Sequence, residues 1–175
     1  MKKLQTGVIG SMGDSKLEQS LIETASELGK EIAKNKATLL FGFEGDFNSL
    51  SQIAARSAQD NGGDTVAFLW GNKQIDLGKL KSTRIVSGQN RGGGREFSFI
   101  LSCDALICIG GGSGTLMEIA MAYQANIPIV VLKNTGGWSE KLANHFLDTR
   151  QRLKIIEANN AKHAMEIVIK LLSKS

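Results

Sequence analysis

The sequence is poor in the residues that build disulfide frameworks and metal centres. Its 175 residues include two cysteines, Cys103 and Cys108, which do not form a Cys-x-x-Cys pair. The two histidines, His145 and His163, lie far along the chain from the cysteines and from each other. These counts exclude a disulfide scaffold and argue against a His/Cys metal site. We therefore expect reduced core thiols, no bound metal and a cytoplasmic location.

Long apolar runs and a strong excess of one charge are also missing. The start, "MKKLQTGVIG", is basic, but its apolar run is too short for a signal peptide or a spanning helix, so we expect no membrane association. The 21 basic and 17 acidic residues give a formal charge of +4. This excess suits a phosphorylated ligand, whereas its scatter, without a basic stretch lined by aromatics, argues against nucleic acid.

The remaining composition is that of one ordinary globular domain. Apolar residues make up 42% and charged residues 22% of the chain, and 175 residues suffice for a single core, so we expect one domain over 1–175. Apolar runs predict strands over 4–10, 37–42, 64–70, 83–87, 105–110, 128–132 and 153–158. Helical patterns predict helices over 15–35, 48–63, 95–103, 115–125, 138–146 and 160–174.

The alternation of these elements predicts the fold class. Continuous apolar strands separated by helices are typical of a mostly parallel sheet that is covered on both faces. We therefore predict a Rossmann-like α/β domain. In its first helix, Asp14 or Ser15 is the expected N-cap, and Gly62 with Gly63 is expected to stop the second.

Three glycine-containing loops follow predicted strands and open predicted helices, at 10–14, 42–49 and 110–115. Ligands of such sheets bind at the carboxyl ends of the strands, and helix N-termini there favour anions. In the first two loops the candidate ligand residues are Gly10, Ser11, Gly13 and Gly42. An ordinary turn explains these two loops equally well.

The third loop is the stronger candidate for a phosphate site. It consists of Gly110, Gly111, Gly112, Ser113, Gly114 and Thr115. Three consecutive glycines exceed the needs of a turn, and the two hydroxyls add donors. The loop lacks the lysine of a P-loop and the spacing of a dinucleotide fingerprint, which argues against both of those classes.

One acid, Glu118, follows this loop and admits two interpretations. The spacing Thr115-x-x-Glu118 fits a capping box, in which the threonine caps the helix and the glutamate reaches back to it. Alternatively, a carboxylate beside a bound nucleotide could stabilise a cationic transition state or activate water. The local pattern favours the cap.

Charged residues elsewhere suggest partners for a ligand. Arg91 and Arg95 flank three glycines in "NRGGGRE" and could reach a phosphate or carboxylate, or form a solvated pair on a loop. Glu44 and Asp46 could bind a ribose hydroxyl, although turn chemistry explains them more simply.

The two segments together resemble the LONELY GUY-type nucleoside 5'-monophosphate phosphoribohydrolases, whose relatives include molybdenum-cofactor carrier proteins. The family pattern PGGxGTxxE falls on residues 110–118, and the family's Arg-Lys pair falls on Arg95 and Glu96. The resemblance implies that Arg95 and Glu118 are the catalytic pair and that the glycine loop holds a 5'-phosphate. The implied reaction releases a free base and ribose 5-phosphate, with no required cofactor.

Three positions depart from the hydrolase pattern. Glu96 replaces a lysine, Gly110 replaces the leading proline, and "GFEGDFNSL" stands where the hydrolases have a second glycine loop. The segment "TGGWSE" at 135–140 resembles the carrier branch instead. The resemblance therefore leaves an alternative, a non-catalytic carrier or sensor of a nucleotide or of a molybdopterin-type phosphorylated pterin.

The helix at 115–125 carries apolar side chains on every face, and the helix at 95–103 is similarly apolar. A helix without a polar side must be covered twice, by the sheet and by something else. We therefore predict a homo-oligomer, a dimer or a tetramer, joined through these two helices.

Overall fold

The computed structural model describes residues 3–10, 17–45, 48–72 and 75–173. Within these ranges, seven strands alternate with six helices. The strands are β1 (Gln5–Gly10), β2 (Thr38–Gly42), β3 (Asp64–Leu69), β4 (Thr83–Val86), β5 (Ala105–Ile109), β6 (Ile129–Leu132) and β7 (Ile156–Ala158). The helices are α1 (Gln19–Lys34), α2 (Leu50–Asp60), α3 (Gly94–Ile100), α4 (Ser113–Gln124), α5 (Gly137–Leu142) and α6 (Ala161–Leu172).

The strands form one sheet in the order β4-β3-β2-β1-β5-β6-β7, and every neighbouring pair is parallel. The chain builds outward from β1 to β4, then returns to the other side of β1 and builds outward again. This order reverses between β1 and β5, where Gly10 lies in register with Ile109. Such a switch point opens a crevice at the carboxyl ends of the two strands, where ligands of open α/β sheets bind.

Helices cover both faces of the sheet, so the predicted Rossmann-like α/β class is confirmed. On one face, α1, α2 and α6 pack on the sheet in a core that includes Leu28, Phe41 and Val168. On the other face, α3 and α4 pack in a second core with Phe99, Ile119 and Tyr123. All five residues of β5 are buried, as a central parallel strand requires.

Several predicted boundaries were too generous. Helix α1 begins at Gln19 with Glu18 as its N-cap, so the predicted start near Asp14 or Ser15 is wrong; these two residues lie outside the described ranges. Helix α2 begins after Ser49, whose hydroxyl accepts from the backbone N–H of Gln52, and ends at Asp60. The predicted stop is confirmed, because Gly62 takes a positive φ of 75° and the N–H of Gly63 donates back to the carbonyl of Ala58 at 2.8 Å.

The last third of the chain is less regular than predicted. Helix α5 ends at Leu142, because Asn144 takes a positive φ of 62° and turns the chain away. Phe146 then makes an isolated antiparallel bridge with Lys154, which leaves only Ile156–Ala158 as strand. Among the described helices, none is long and apolar enough to cross a membrane.

Candidate functional site

A cavity of about 590 Å³ opens at the carboxyl edge of the sheet, at the switch point between β1 and β5. Its volume falls in the range of small-molecule sites. The described lining residues are Val8, Ile9, Gly10, Gly42, Glu44, Ser49, Ser51, Arg91, Gly92, Arg95, Glu96, Phe99, Gly111, Gly112, Ser113, Gly114, Thr115, Met117, Glu118 and Gly137. The cavity therefore unites residues from the second and third glycine loops with Gly10 of the first.

The third glycine loop turns the chain sharply from β5 into α4. Gly110 and Gly111 have φ values of 61° and 104°, which side chains rarely adopt. A Cβ on Gly111 would lie 2.4 Å from the Thr115 side chain. The chain thus enters the helix at Ser113, and the first backbone N–H groups of α4 have no acceptor within the helix. Those groups and the helix dipole favour an anion.

The segment that follows β6, residues 135–140, packs against this loop and stabilises it. Thr135 Oγ1 accepts from the N–H of Gly110 at 2.9 Å, and Ser139 Oγ donates to the Gly110 carbonyl at 2.7 Å. The N–H of Trp138 donates to the carbonyl of Gly111 at 3.0 Å. A Cβ on Gly137 would lie 2.4 Å from that same carbonyl oxygen. The "TGGWSE" segment therefore fixes the shape of the loop through its backbone and two hydroxyls.

The capping interpretation of Glu118 is wrong. Gly112 is the N-cap of α4, without a side-chain cap, and Thr115 is a buried residue in the first turn. Glu118 is the sixth residue of the helix, too far along to reach the N-cap backbone. The physical reason is the turn at Gly110 and Gly111, which starts the helix earlier than the threonine. Glu118 instead lines the cavity.

The surroundings of Glu118 disfavour its charged form. Burial raises the pKa of this carboxyl to about 8, with the nearby positive charge of Arg95 opposing the rise and the charges of Glu96 and Glu44 adding to it. This shift favours the protonated form, which can donate a hydrogen bond. Raised carboxyl pKa values of this kind occur at binding and catalytic sites as well as in structural cores.

Arg95 also lines the cavity and is held by two carboxylates. Its Nη2 donates to Glu44 Oε1 at 2.6 Å and to Glu96 Oε1 at 2.7 Å, while Nε donates to the same Glu96 oxygen at 2.9 Å. Only 3% of the residue is exposed. Burial acts against the charge, but the two carboxylates outweigh it and raise the pKa of Arg95. The guanidinium is therefore a buried, neutralised cation.

Glu96, which occupies the family's lysine position, has a structural role at the start of α3. Its Oε2 accepts from the N–H of Gly93, the N-cap of the helix, at 2.8 Å. Burial acts to raise the pKa of Glu96, yet the charge and hydrogen bonds of Arg95 and the N–H groups of Gly92 and Gly93 lower it overall. Glu96 thus caps its helix as an ionised carboxylate.

Glu44 joins the two predicted arginines, and the turn interpretation of this residue is incomplete. It lies two residues beyond β2 and is 5% exposed. Besides its bond to Arg95, its Oε2 lies 2.9 Å from Nε of Arg91. The Arg91 guanidinium also lies over the Trp70 ring, 4.9 Å from its centroid. Arg91 and Arg95 are therefore not a solvated pair on a loop, because Glu44 bridges them at the cavity wall.

Other predicted residues have mixed outcomes. Gly10 lines the cavity, and Gly42 does so while leaving room for Arg95, whose Nη1 would lie 2.4 Å from a Cβ there. Ser11 and Gly13 lie outside the described residues. Cys103 and Cys108 are buried and unpaired, as predicted. Among the described residues, no group of three His, Cys, Asp or Glu side chains is placed to hold a metal ion.

Sequence reasoning missed the anchoring role of Glu44 and the contribution of several other lining or supporting residues. These are Ser49, Ser51, Phe99, Met117, Thr135, Gly137 and Ser139. The position of Glu44 just after β2 was a usable signal, since carboxyl ends of parallel strands share one edge of the sheet. The supporting hydroxyls carry no local signal of this kind.

Fold and cavity together define a Rossmann-like α/β protein with a cavity beside a glycine loop at its switch point. The chain belongs to the SLOG cluster4 family, whose model matches residues 3–165. An uncharacterized protein of Archaeoglobus fulgidus is 31% identical over 133 residues, which span 76% of this chain and 82% of the relative. The resemblance to the LONELY GUY-type and carrier-protein superfamily is thereby confirmed.

Solved structures share this fold. The X-ray structure of TM1055 is 24% identical and matches with a TM-score of 0.84, over 95% of this chain and 99% of that one. The molybdenum cofactor carrier protein from Chlamydomonas reinhardtii is 29% identical, with a TM-score of 0.80 over 98% and 99% of the two chains. The molybdenum cofactor binding protein of Rippkaea orientalis is 23% identical, with a TM-score of 0.81 over 98% and 99%.

Proposed function

We propose that the chain binds a nucleotide-like or pterin-like small molecule in the switch-point cavity, with a phosphate of the ligand at the N-terminus of α4. The observation that carries this proposal is the loop Gly110–Thr115, which opens a helix toward a cavity of about 590 Å³. Backbone N–H groups at a helix start, reached through glycines, are an anion site. Ser113 and Thr115 add hydroxyl donors to the same loop.

A binding or carrier role is the function that the geometry supports best. Arg95, the arginine of the hydrolase pair, is buried and neutralised by Glu44 and Glu96, so it has little charge to offer a reacting substrate. The raised pKa of Glu118 disfavours the carboxylate form that would stabilise a ribosyl cation. The 29% identity to a molybdenum cofactor carrier protein supports cargo of that chemical class. The buried thiols Cys103 and Cys108 support our placement of the protein in the cytoplasm.

Hydrolysis of an N-glycosidic bond is the second candidate, and the raised pKa of Glu118 is the observation that favours it. A protonated carboxyl near neutral pH can act as a general acid. Glu118 would donate its proton to the departing base as the C–N bond breaks. Water would add to the ribose carbon and return a proton to the Glu118 carboxylate, which yields free base and ribose 5-phosphate.

One experiment separates the two roles. The protein is incubated with a panel of nucleoside 5'-monophosphates, free base is measured by chromatography, and binding is measured by calorimetry, with Glu118→Gln in parallel. The carrier role predicts binding of a phosphorylated ligand without base release. Base release that disappears in Glu118→Gln would establish the hydrolase instead. If inorganic phosphate, the nucleotides and a phosphorylated pterin all fail to bind, the proposed site is wrong.

The exposed side chains of α3 support the proposal of a homo-oligomer through α3 and α4. Phe97 on α3 and Leu101, the C-cap of that helix, are 51% and 59% exposed, and Ile85 of β4 is 38% exposed. A second copy would cover these side chains. We expect a dimer or tetramer by light scattering at micromolar concentration, and a smaller species for Leu101→Lys. Ile169→Lys, on the opposite face at α6, is the control that keeps the wild-type mass. A monomeric wild type contradicts this proposal.

A further inference from the structure

Glu44 occupies the place in the cavity where an anionic group of a ligand would be expected. It is buried, and its two carboxylate oxygens meet two different arginines. Oε1 accepts from Arg95 Nη2 at 2.6 Å, and Oε2 lies 2.9 Å from Arg91 Nε. Guanidinium groups at the wall of a cavity are receptors for phosphate or carboxylate. Here a carboxylate of the chain itself lies between them.

We infer that Glu44 is a specificity-determining residue. It acts as an internal counter-anion, so that the cavity binds ligands with one anionic group and disfavours ligands with two. This inference rests on the proposed function, since it assumes that the first anionic group binds at the N-terminus of α4. It concerns the part of the cavity wall formed by Glu44, Arg91 and Arg95, where a second phosphate or a carboxylate of the ligand would have to lie.

The charges of the described walls are balanced without any ligand. Arg91 and Arg95 contribute two positive charges, and Glu44 and Glu96 contribute two negative ones. The N-terminus of α4 then adds the equivalent of about half a positive charge, which suits one phosphate. A second anionic group of the ligand would have to compete with Glu44 and Glu96 for the two arginines. It would also face two carboxylates in a partly desolvated space, where like charges repel strongly.

A neutral, hydroxylated part of a ligand would not meet this repulsion at the wall formed by Glu44, Arg91 and Arg95. Glu44 Oε2 is buried and forms its ion pair with Arg91 outside hydrogen-bond geometry, so it has no hydrogen-bond partner. A ligand hydroxyl beside this wall adds no negative charge next to Glu44 and Glu96, whereas a phosphate or carboxylate does. The ligand class is therefore a monophosphate ester whose remaining part is uncharged.

Glu44 is a better determinant of this preference than Glu96, the other carboxylate on Arg95. Glu96 also accepts from the N–H of Gly93 and so holds the start of α3, which ties it to the structure of the helix. The side-chain contacts of Glu44 are with the two arginines. Its replacement by glutamine keeps the size and an oxygen acceptor but removes the negative charge.

The test compares adenosine 5'-monophosphate with adenosine 5'-diphosphate by calorimetry at pH 7. We expect the wild type to bind the monophosphate at least about tenfold more tightly, and Glu44→Gln to reduce that ratio at least about tenfold. Glu44→Asp, which keeps the charge, retains the preference. Glu31→Gln is the matched control, because Glu31 is 9% exposed and pairs with Lys34 away from the cavity.

Each outcome decides the inference. A wild type that binds the diphosphate as tightly as the monophosphate overturns it, whether or not the variants fold. An unchanged ratio in a folded Glu44→Gln also overturns it, while the proposed phosphate site stands. Inorganic phosphate against pyrophosphate repeats the comparison if neither nucleotide binds. If none of the four binds to the wild type, the proposed function fails and this inference fails with it.

Discussion

Helices α3 and α4 begin at the same edge of the sheet, each after a glycine-containing loop, and each brings one glutamate to the cavity wall. Glu96 is the third residue of α3, and Glu118 is the sixth of α4. The first is ionised and has its pKa lowered, whereas the second has its pKa raised to about 8. The pKa values of two carboxyls in one cavity are therefore shifted in opposite directions.

The difference follows from position within the helix and from the neighbouring cation. Three residues into α3, Glu96 reaches the N–H of Gly93 and two nitrogens of Arg95. Three residues further into its own helix, Glu118 is beyond the reach of the N-cap, and Arg95 is already engaged by Glu44 and Glu96. The comparison teaches that a glutamate after a glycine loop is a cap or a site residue according to where the helix starts.

Removal of Arg95 has the largest expected effect on this comparison. In Arg95→Met, Glu44 and Glu96 lose their shared cation while remaining buried, so we expect the free energy of unfolding to fall by about 3–5 kcal/mol. Urea unfolding at pH 7 measures this. Arg150→Met is the control, because the Arg150–Asp148 pair is exposed and should contribute little. Equal effects of the two substitutions would show that the buried cluster does not stabilise the fold.

The start of α4 can be tested at Gly111. An alanine there combines a positive φ of 104° with a Cβ 2.4 Å from Thr115, so Gly111→Ala should lose about 2–3 kcal/mol of unfolding free energy. Thermal unfolding gives the measurement. Gly112→Ala is the matched control, since a Cβ at Gly112 meets nothing within 4 Å and its stability should remain near that of the wild type. Similar losses at both glycines would contradict the described turn.

The two glutamates should show opposite dependence on pH, which is the smallest of the three effects. The folded chain retains the Glu118 proton up to about pH 8, whereas the unfolded chain loses it near the ordinary value of 4.5. Stability from this group therefore falls as pH rises between these values. From pH 5 to pH 8, Glu118→Gln should gain at least about 1.4 kcal/mol relative to the wild type, the equivalent of a tenfold change in proton affinity.

Glu96→Gln supplies the contrasting measurement. The lowered pKa of Glu96 stabilises the fold above the ordinary carboxyl value, and this contribution is lost as pH falls through the folded pKa. The loss of unfolding free energy caused by Glu96→Gln should therefore be greatest at neutral pH and become smaller at acidic pH. Urea unfolding over a series of pH values gives both profiles. Profiles of the same sign would remove the difference between the two carboxyls.

The sheet could be predicted because its signal is local. The run "ALICI" is apolar throughout and becomes the fully buried β5, and the glycines after it mark the loop that leads into α4. The bridge between Glu44 and Arg95 could not be predicted in this way, because it joins residues 51 positions apart whose approach depends on how α3 packs beside β2. The capping pattern at Thr115 misled for a related reason, since the positive φ values at Gly110 and Gly111 decide the helix start.

The contacts between residues 135–140 and the glycine loop affect the order of folding. Thr135 and Ser139, which follow β6, bind the backbone of Gly110 from 25 and 29 positions along the chain. Glu44, which follows β2, binds Arg95 from 51 positions away. Closing a long stretch of chain costs more conformational entropy than a local contact, so we expect these contacts to form late in folding. The cavity thus exists only in the completed fold. A ligand that binds there stabilises the whole domain against partial unfolding, and protection from proteolysis should extend to both halves together.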